Sequence, residues 1–256
     1  MTLTATWALA RRALLGVLRK PQFAAPLVIF PTFFLAVNVG GLSRTTALPG
    51  FPEVRGFLDF QLAAGITQSL LLGGVSAGIA VALEIEMGFF DRLAASPIPR
   101  VSMVFGRLGA AAVLGMIQAT YFLLLGLIFG AEVASGVPGV VVVLLISAVA
   151  ATGFSAFGVM LALLARNAST VQGIFPLAFV VLFVSSAFFP RALLEEPARG
   201  VARFNPLSYI ADGMRDPIIH QLSWTSVLEG LAAALSVALI FTGLSVIALR
   251  GRLREA

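Results

Sequence analysis

The chain has 256 residues, 59% hydrophobic and 11% charged, with a formal net charge of +5 and a mean hydropathy of +1.01. Soluble globular chains carry about 25% charged residues, so this composition excludes an ordinary soluble domain. The basic excess is spread over loops rather than gathered on one face for nucleic acid. There is no cysteine, which removes disulfides, thiolate metal sites and cysteine nucleophiles.

Residues 3–20 predict a helix ahead of the first span. Leu3, Trp7, Ala10, Leu14, Val17 and Leu18 share one stripe, and Arg12 and Arg19 project from the opposite side. That pattern suits an interfacial helix lying on the membrane with its arginines toward headgroups. A signal peptide is the other reading, but no small-residue cleavage site ends it. A first span follows over 22–42, with Pro26 and Pro31 inside it; membrane helices tolerate such prolines. A polar loop covers 43–57. The second span, 58–83, is rich in Gly65, Gly73, Gly74, Ser76, Ala77 and Gly78, small residues that let helix backbones approach closely in lipid.

A charged island then runs from Glu86 to Arg100, with Arg92, Arg100 and Arg107 in or just after it. Short arginine-rich loops stay on the cytoplasmic side. Gly88 permits a sharp departure from the span, and Pro97 and Pro99 end a short helix in the island. A third span covers 108–130, a fourth 138–164 and a fifth 171–189. The stretch 190–224 holds two helix candidates, 191–203 and 206–219, the second opened by Asn205-Pro206 as N-cap and first helical residue. They are too polar to span and too apolar to float free, and read as re-entrant helices dipping into the outer face. The sixth span is 227–249. The fold class expected is therefore an all-α polytopic membrane protein with six transmembrane helices, in a single domain over 1–256.

Eleven of the seventeen Lys and Arg residues fall on the side holding the termini, 84–107 and 165–170, against six on the other. The expected orientation is both termini cytoplasmic in the cell membrane.

Sixteen of the seventeen basic residues are arginine, and Lys20 is followed by Pro21. A phosphate-binding G-x-x-x-x-G-K-[ST] loop is thus absent, and no cofactor is expected on this chain. No span carries an ionisable residue near its centre; Asp59 and Glu229 sit in first turns at the surface. That argues against a proton-driven pump. The single histidine, His220, lies in a loop, so a metal site and a catalytic dyad are both unexpected. Asn38, Gln68 and Gln118 lie within spans. They read either as interhelical hydrogen-bonding groups or as a weakly polar substrate path.

Glu86-x-Gly88, Asp91-Arg92-Leu93, Ser96-Pro97-Ile98-x-Arg100 and Gly106-Arg107 resemble the loop between spans two and three of type-2 ABC exporter permeases, closest to the daunorubicin-resistance branch. Ser185-Ser-Ala-Phe-Phe-Pro190, Arg203-Phe-Asn-Pro-Leu207 and Asp212-Gly-Met-Arg215 resemble that family's end of span five and outer re-entrant helices. The resemblance implies a transport subunit that is not itself an enzyme. Its partners would be a second permease subunit and separate ATPase subunits holding ATP and magnesium, with membrane lipids around them and a hydrophobic or amphiphilic small molecule as cargo. It implies that Glu86, Gly88, Asp91, Arg92, Leu93, Pro97 and Arg100 belong to a coupling helix seated in the ATPase. Either Glu84 or Glu86 would be the acid the family places there. Phe188, Phe189, Pro190, Asn205 and Pro206 would form the outer gate and re-entrant turn. A non-transporting scaffold or immunity protein, or a channel, is the alternative; a channel calls for a polar or charged pore ring, which the spans lack.

Overall fold

A bundle of long helices results from this apolar patterning. The computed structural model describes residues 2–19, 21–96 and 98–255. Every regular element among them is helical: α1 (Thr2–Leu18), α2 (Pro21–Leu42), α3 (Phe57–Glu86), α4 (Phe89–Ala94), α5 (Val101–Ile128), α6 (Gly136–Ala165), α7 (Ala168–Phe183), α8 (Ala198–Phe204), α9 (Pro206–Ile219) and α10 (Trp224–Glu255), with 3-10 turns at Ser43–Ala47 and Arg191–Leu193. Among the described residues, five helices are long and apolar enough to cross a membrane: α2, α3, α5, α6 and α10. The stretch read as a fifth span forms the shorter α7, 16 residues with Pro176 inside, or about 24 Å of helix at 1.5 Å per residue.

Lipid gives no hydrophobic drive between helices, so their association depends on close packing. Helices α3 and α6 show how close. A Cβ placed on Gly74 would lie 2.6 Å from the Phe154 backbone, and one on Gly78 2.6 Å from the Gly158 carbonyl oxygen. The backbones touch because glycine leaves room on both sides. Ser69 Oγ donates to the Leu27 carbonyl at 2.5 Å, tying α3 to α2, and Ser245 Oγ donates to the Ala156 carbonyl at 2.7 Å, tying α10 to α6.

One end of the bundle carries α4, between α3 and α5. The opposite end carries α8 and α9, whose residues Leu207, Ile210, Met214 and Ile218 join the larger buried cluster with α3 and α6. Helix α1 packs along α5, where Gly106 leaves space for Leu9. Arg252 near the end of α10 reaches Asp91 on α4 at 3.1 Å, so both chain ends lie at the α4 end.

Two expected helix boundaries are corrected. The helix drawn over 191–203 begins only at Ala198, because Pro197 interrupts it; residues 191–193 form a separate 3-10 turn. The third long helix starts at Val101 rather than 108 and takes Arg107 into its length. That residue is accommodated because Glu84 of α3 pairs with it. On α1, Leu3, Trp7 and Leu18 of the apolar stripe are exposed. Arg12 remains exposed while lying 3.1 Å from Glu84, with its guanidinium 4.0 Å from the centre of the Phe89 ring.

Candidate functional site

Helix α4 is short, and three devices hold it in place. Gly88 takes φ +65°, a left-handed conformation that favours glycine, and so turns the chain sharply out of α3. Phe90 is buried among Met103, Val104 and Leu163, with Leu93 packed partly against the same cluster. Asp91 is tied to Arg252, whose guanidinium also lies 5.4 Å from the Phe90 ring centre. The result is a six-residue helix anchored on its apolar side, with Met87, Asp91, Arg92 and Ala95 exposed.

The sequence-selected residues of the loop separate into distinct positions. Glu86 is not a free acid: its Oε1 accepts the Ala168 N–H at 2.8 Å and caps the start of α7. An anion at a helix N-terminus is favourably placed. Glu84 is the acid turned inward, shared between Arg107 and Arg12. It thereby joins α1, α3 and α5 at one point. Arg92 and Arg100 are exposed, and among the described residues Arg92 makes no ion pair. Pro97 lies outside the described residues.

At the other end, Phe188 is buried, 5.2 Å from Phe34 and 5.0 Å from Phe183 between ring centres, while Phe189 is exposed beside the buried Pro190. Asn205 does two jobs. Its Oδ1 accepts the Leu207 N–H at 3.0 Å as the N-cap of α9, with Pro206 first in the helix, and its Nδ2 donates to the Val181 carbonyl at 2.6 Å. The cap helix is thus pinned to α7.

The sequence picks out Asp212-Gly-Met-Arg215 only as part of the family resemblance, without the polar cluster these residues form. Arg215 is 5% exposed and donates to the carbonyls of Phe60 and Ala187, pairs with Asp212, and stacks 3.9 Å over the Phe60 ring. Burial pushes its pKa down and the Asp212 carboxylate opposes that shift; arginine keeps its charge regardless. Asp212 also meets Arg191 at 2.9 Å and accepts from Ser186 Oγ. The signal was a charged i, i+3 pair inside an otherwise apolar helix face.

The three in-span amides have different hydrogen-bond surroundings. Asn38 donates back to the Phe34 carbonyl at 3.0 Å, and Gln118 donates to the Ser69 carbonyl at 3.1 Å. Gln68 is fully buried, and neither side-chain atom of its amide finds a partner among the described residues. Gln118 borders a crevice, which runs past Gly73, Ala77 and Ala80 to Arg107.

A family model described as ABC-2 type transporter matches residues 4–219. Three relatives bear the name transport permease ycf38. The protein of Porphyra purpurea is 26% identical over 215 residues, covering 81% of this chain and 72% of its own length. That of Cyanophora paradoxa is 23% identical over 218 residues, covering 84% and 74%. That of Pyropia yezoensis is 24% identical over 249 residues, covering 91% and 83%. The matched region takes in α4 and the cap helices α8 and α9 alike.

Proposed function

We propose that this chain, which belongs to the ABC-2 type transporter family, is the membrane-spanning subunit of an ATP-driven exporter. It moves hydrophobic or amphiphilic molecules out of the cytoplasm while a separate ATPase subunit hydrolyses ATP. Two such permease chains and two ATPases make the working assembly. The observation that carries this reading is α4. A short helix is fastened at one end of the bundle by Gly88, the Phe90 packing and the Asp91–Arg252 pair, and presents Met87, Arg92 and Ala95 to solvent. Such a helix transmits a push from a soluble partner because it cannot yield independently. The Glu84–Arg107–Arg12 cluster next to it passes that push to α3, α5 and α1 together.

Six crossings suit this function, with α7 as the sixth. What supports it is the path of α7: Glu86 holds its start at the α4 end, while Ser186 and Ala187, just beyond it, bond Ser208 and Arg215 at the cap end. Sixteen helical residues and the turn after them therefore traverse the bundle. The arginine asymmetry puts the α4 end in the cytoplasm, and α8 and α9 then form a re-entrant cap on the outer face. No central ionisable ring is needed by this reading, whereas a channel would require one. A scaffold has no use for a braced docking helix.

The test is co-purification. The tagged chain, extracted in mild detergent from cells that also express an ATP-binding subunit, retains that subunit. Recovery of the chain free of any ATP-binding protein, under conditions where both are folded and abundant, contradicts the proposal.

A further inference from the structure

We propose that the crevice between α1 and the α3–α4–α5 hairpin binds one anionic, phosphate-bearing amphiphile from the adjoining membrane leaflet. The proposal rests on the chain's being a membrane protein and is independent of what the exporter carries. A cleft of ≈ 530 Å³ opens there. Its mouth carries Arg12, Arg92 and Arg107 against a single carboxylate, Glu84. A second hollow of ≈ 430 Å³, on the adjoining surface of α1, adds Arg11 and Arg19. Among the described side chains, the other acids at this end are already engaged: Glu86 caps α7 and Asp91 pairs with Arg252. Among those side chains the mouth therefore keeps a positive excess.

Behind the mouth the lining turns apolar and small. Ala13, Gly16, Ser76 and Ala80 bound the cleft. Ala13, Ser76, Ala80 and Arg107 also bound the narrower crevice leading past Gly73 to Gln118. The inner crevice holds only ≈ 50 Å³, so the hydrocarbon chain is accommodated in the ≈ 530 Å³ cleft itself, along Val17, Ala80 and Leu83. Glu84 lies in the last turn of α3 and Arg107 in the second turn of α5, which places the charged mouth near headgroup depth and the groove at acyl depth. A cationic mouth over an apolar groove at the membrane boundary is complementary to a headgroup and its chain. A free phosphate would engage only the mouth. Each basic residue near an anionic leaflet strengthens lipid attraction by about fivefold.

The test uses the purified full chain in nonionic detergent, offered micelles containing either phosphatidylglycerol or phosphatidylcholine, with bound lipid counted by native mass spectrometry. One phosphatidylglycerol per chain is expected to survive washing, and phosphatidylcholine is not. Arg12→Gln leaves Glu84 its pair with Arg107 and is expected to weaken retention about fivefold. Ala80→Trp fills the groove and is expected to abolish retention while the arginines stay in place; circular dichroism checks that both variants fold. Inorganic phosphate in the millimolar range is expected not to displace the lipid. Equal retention of the neutral lipid by the native chain overturns the proposal, with no variant needed. Undiminished retention in both folded variants overturns it as well, and displacement by inorganic phosphate alone reassigns the mouth to soluble anions.

Discussion

Arg92 bears most directly on the role given to α4. It is exposed and unpaired among the described residues, on a helix whose other charge, Asp91, is already used. Reversing a charge at an interface costs several kcal/mol in the complex, and an exposed side chain contributes little to folding. Arg92→Glu is expected to keep the native melting temperature in detergent and to lose capture of the ATP-binding subunit; normal capture by the folded variant contradicts the assignment. Arg215 is the opposite case. Removing one member of a buried ion pair costs about 3–5 kcal/mol, and here two backbone carbonyls also lose their donor. Arg215→Met is expected to lower thermal stability sharply, and a melting temperature unchanged from the native chain would show that the cap does not depend on it. The sequence could name Arg92 because loop charge is visible in composition. It could not separate the roles of Glu84 and Glu86: that depends on which of two neighbouring acids points into the bundle, and helix packing alone decides it.

Among elements, the long apolar helices were legible because their length and hydropathy match the membrane. Boundaries were less so. The start of α5 was hidden by Arg107, which looks like a loop residue until its partner Glu84 is known, and the 191–203 helix yielded to Pro197. Close crossings were visible only as small-residue enrichment; which glycines face each other required the structure. At the α3–α6 crossing, Gly158→Val would drive a side chain into the Gly74 and Gly78 backbone. Overpacking of this kind costs typically 1–3 kcal/mol, so the variant is expected to melt earlier than the native chain, whereas Gly173→Val, where a Cβ meets nothing within 4 Å, is expected to be the milder change. Equal melting of the two variants would deny the crossing its role. Orientation belongs at this scale too. Because the chain has no cysteine, single cysteines report cleanly. Those at Ala47 and Glu195 are expected to react with a membrane-impermeant thiol reagent from outside intact cells, and one at Ala95 is not. Labelling of Ala95 from outside inverts the topology.

At the level of the whole molecule, the family resemblance was legible in two segments, the charged loop and the cap segment, and the family match over residues 4–219 spans both. It did not disclose how they are joined. Between the Glu84 cluster at one end and the Arg215 cluster at the other run α3 and α7, held to their neighbours by backbone contact and by side-chain bonds to carbonyls. On the proposed reading, a displacement of α4 reaches the cap through α3, which carries Glu84 near its end and the Phe60 carbonyl near its start. The chain has one lysine and no G-x-x-x-x-G-K-[ST] loop, and that reading takes the energy for the displacement from a separate ATPase. The direct measurement is efflux of a hydrophobic dye from proteoliposomes reconstituted with this chain, with and without its ATP-binding subunit, under ATP and then under an imposed pH gradient. The account predicts concentrative transport only with both proteins and ATP present. Concentrative transport, or ATP hydrolysis, by the chain alone would contradict it.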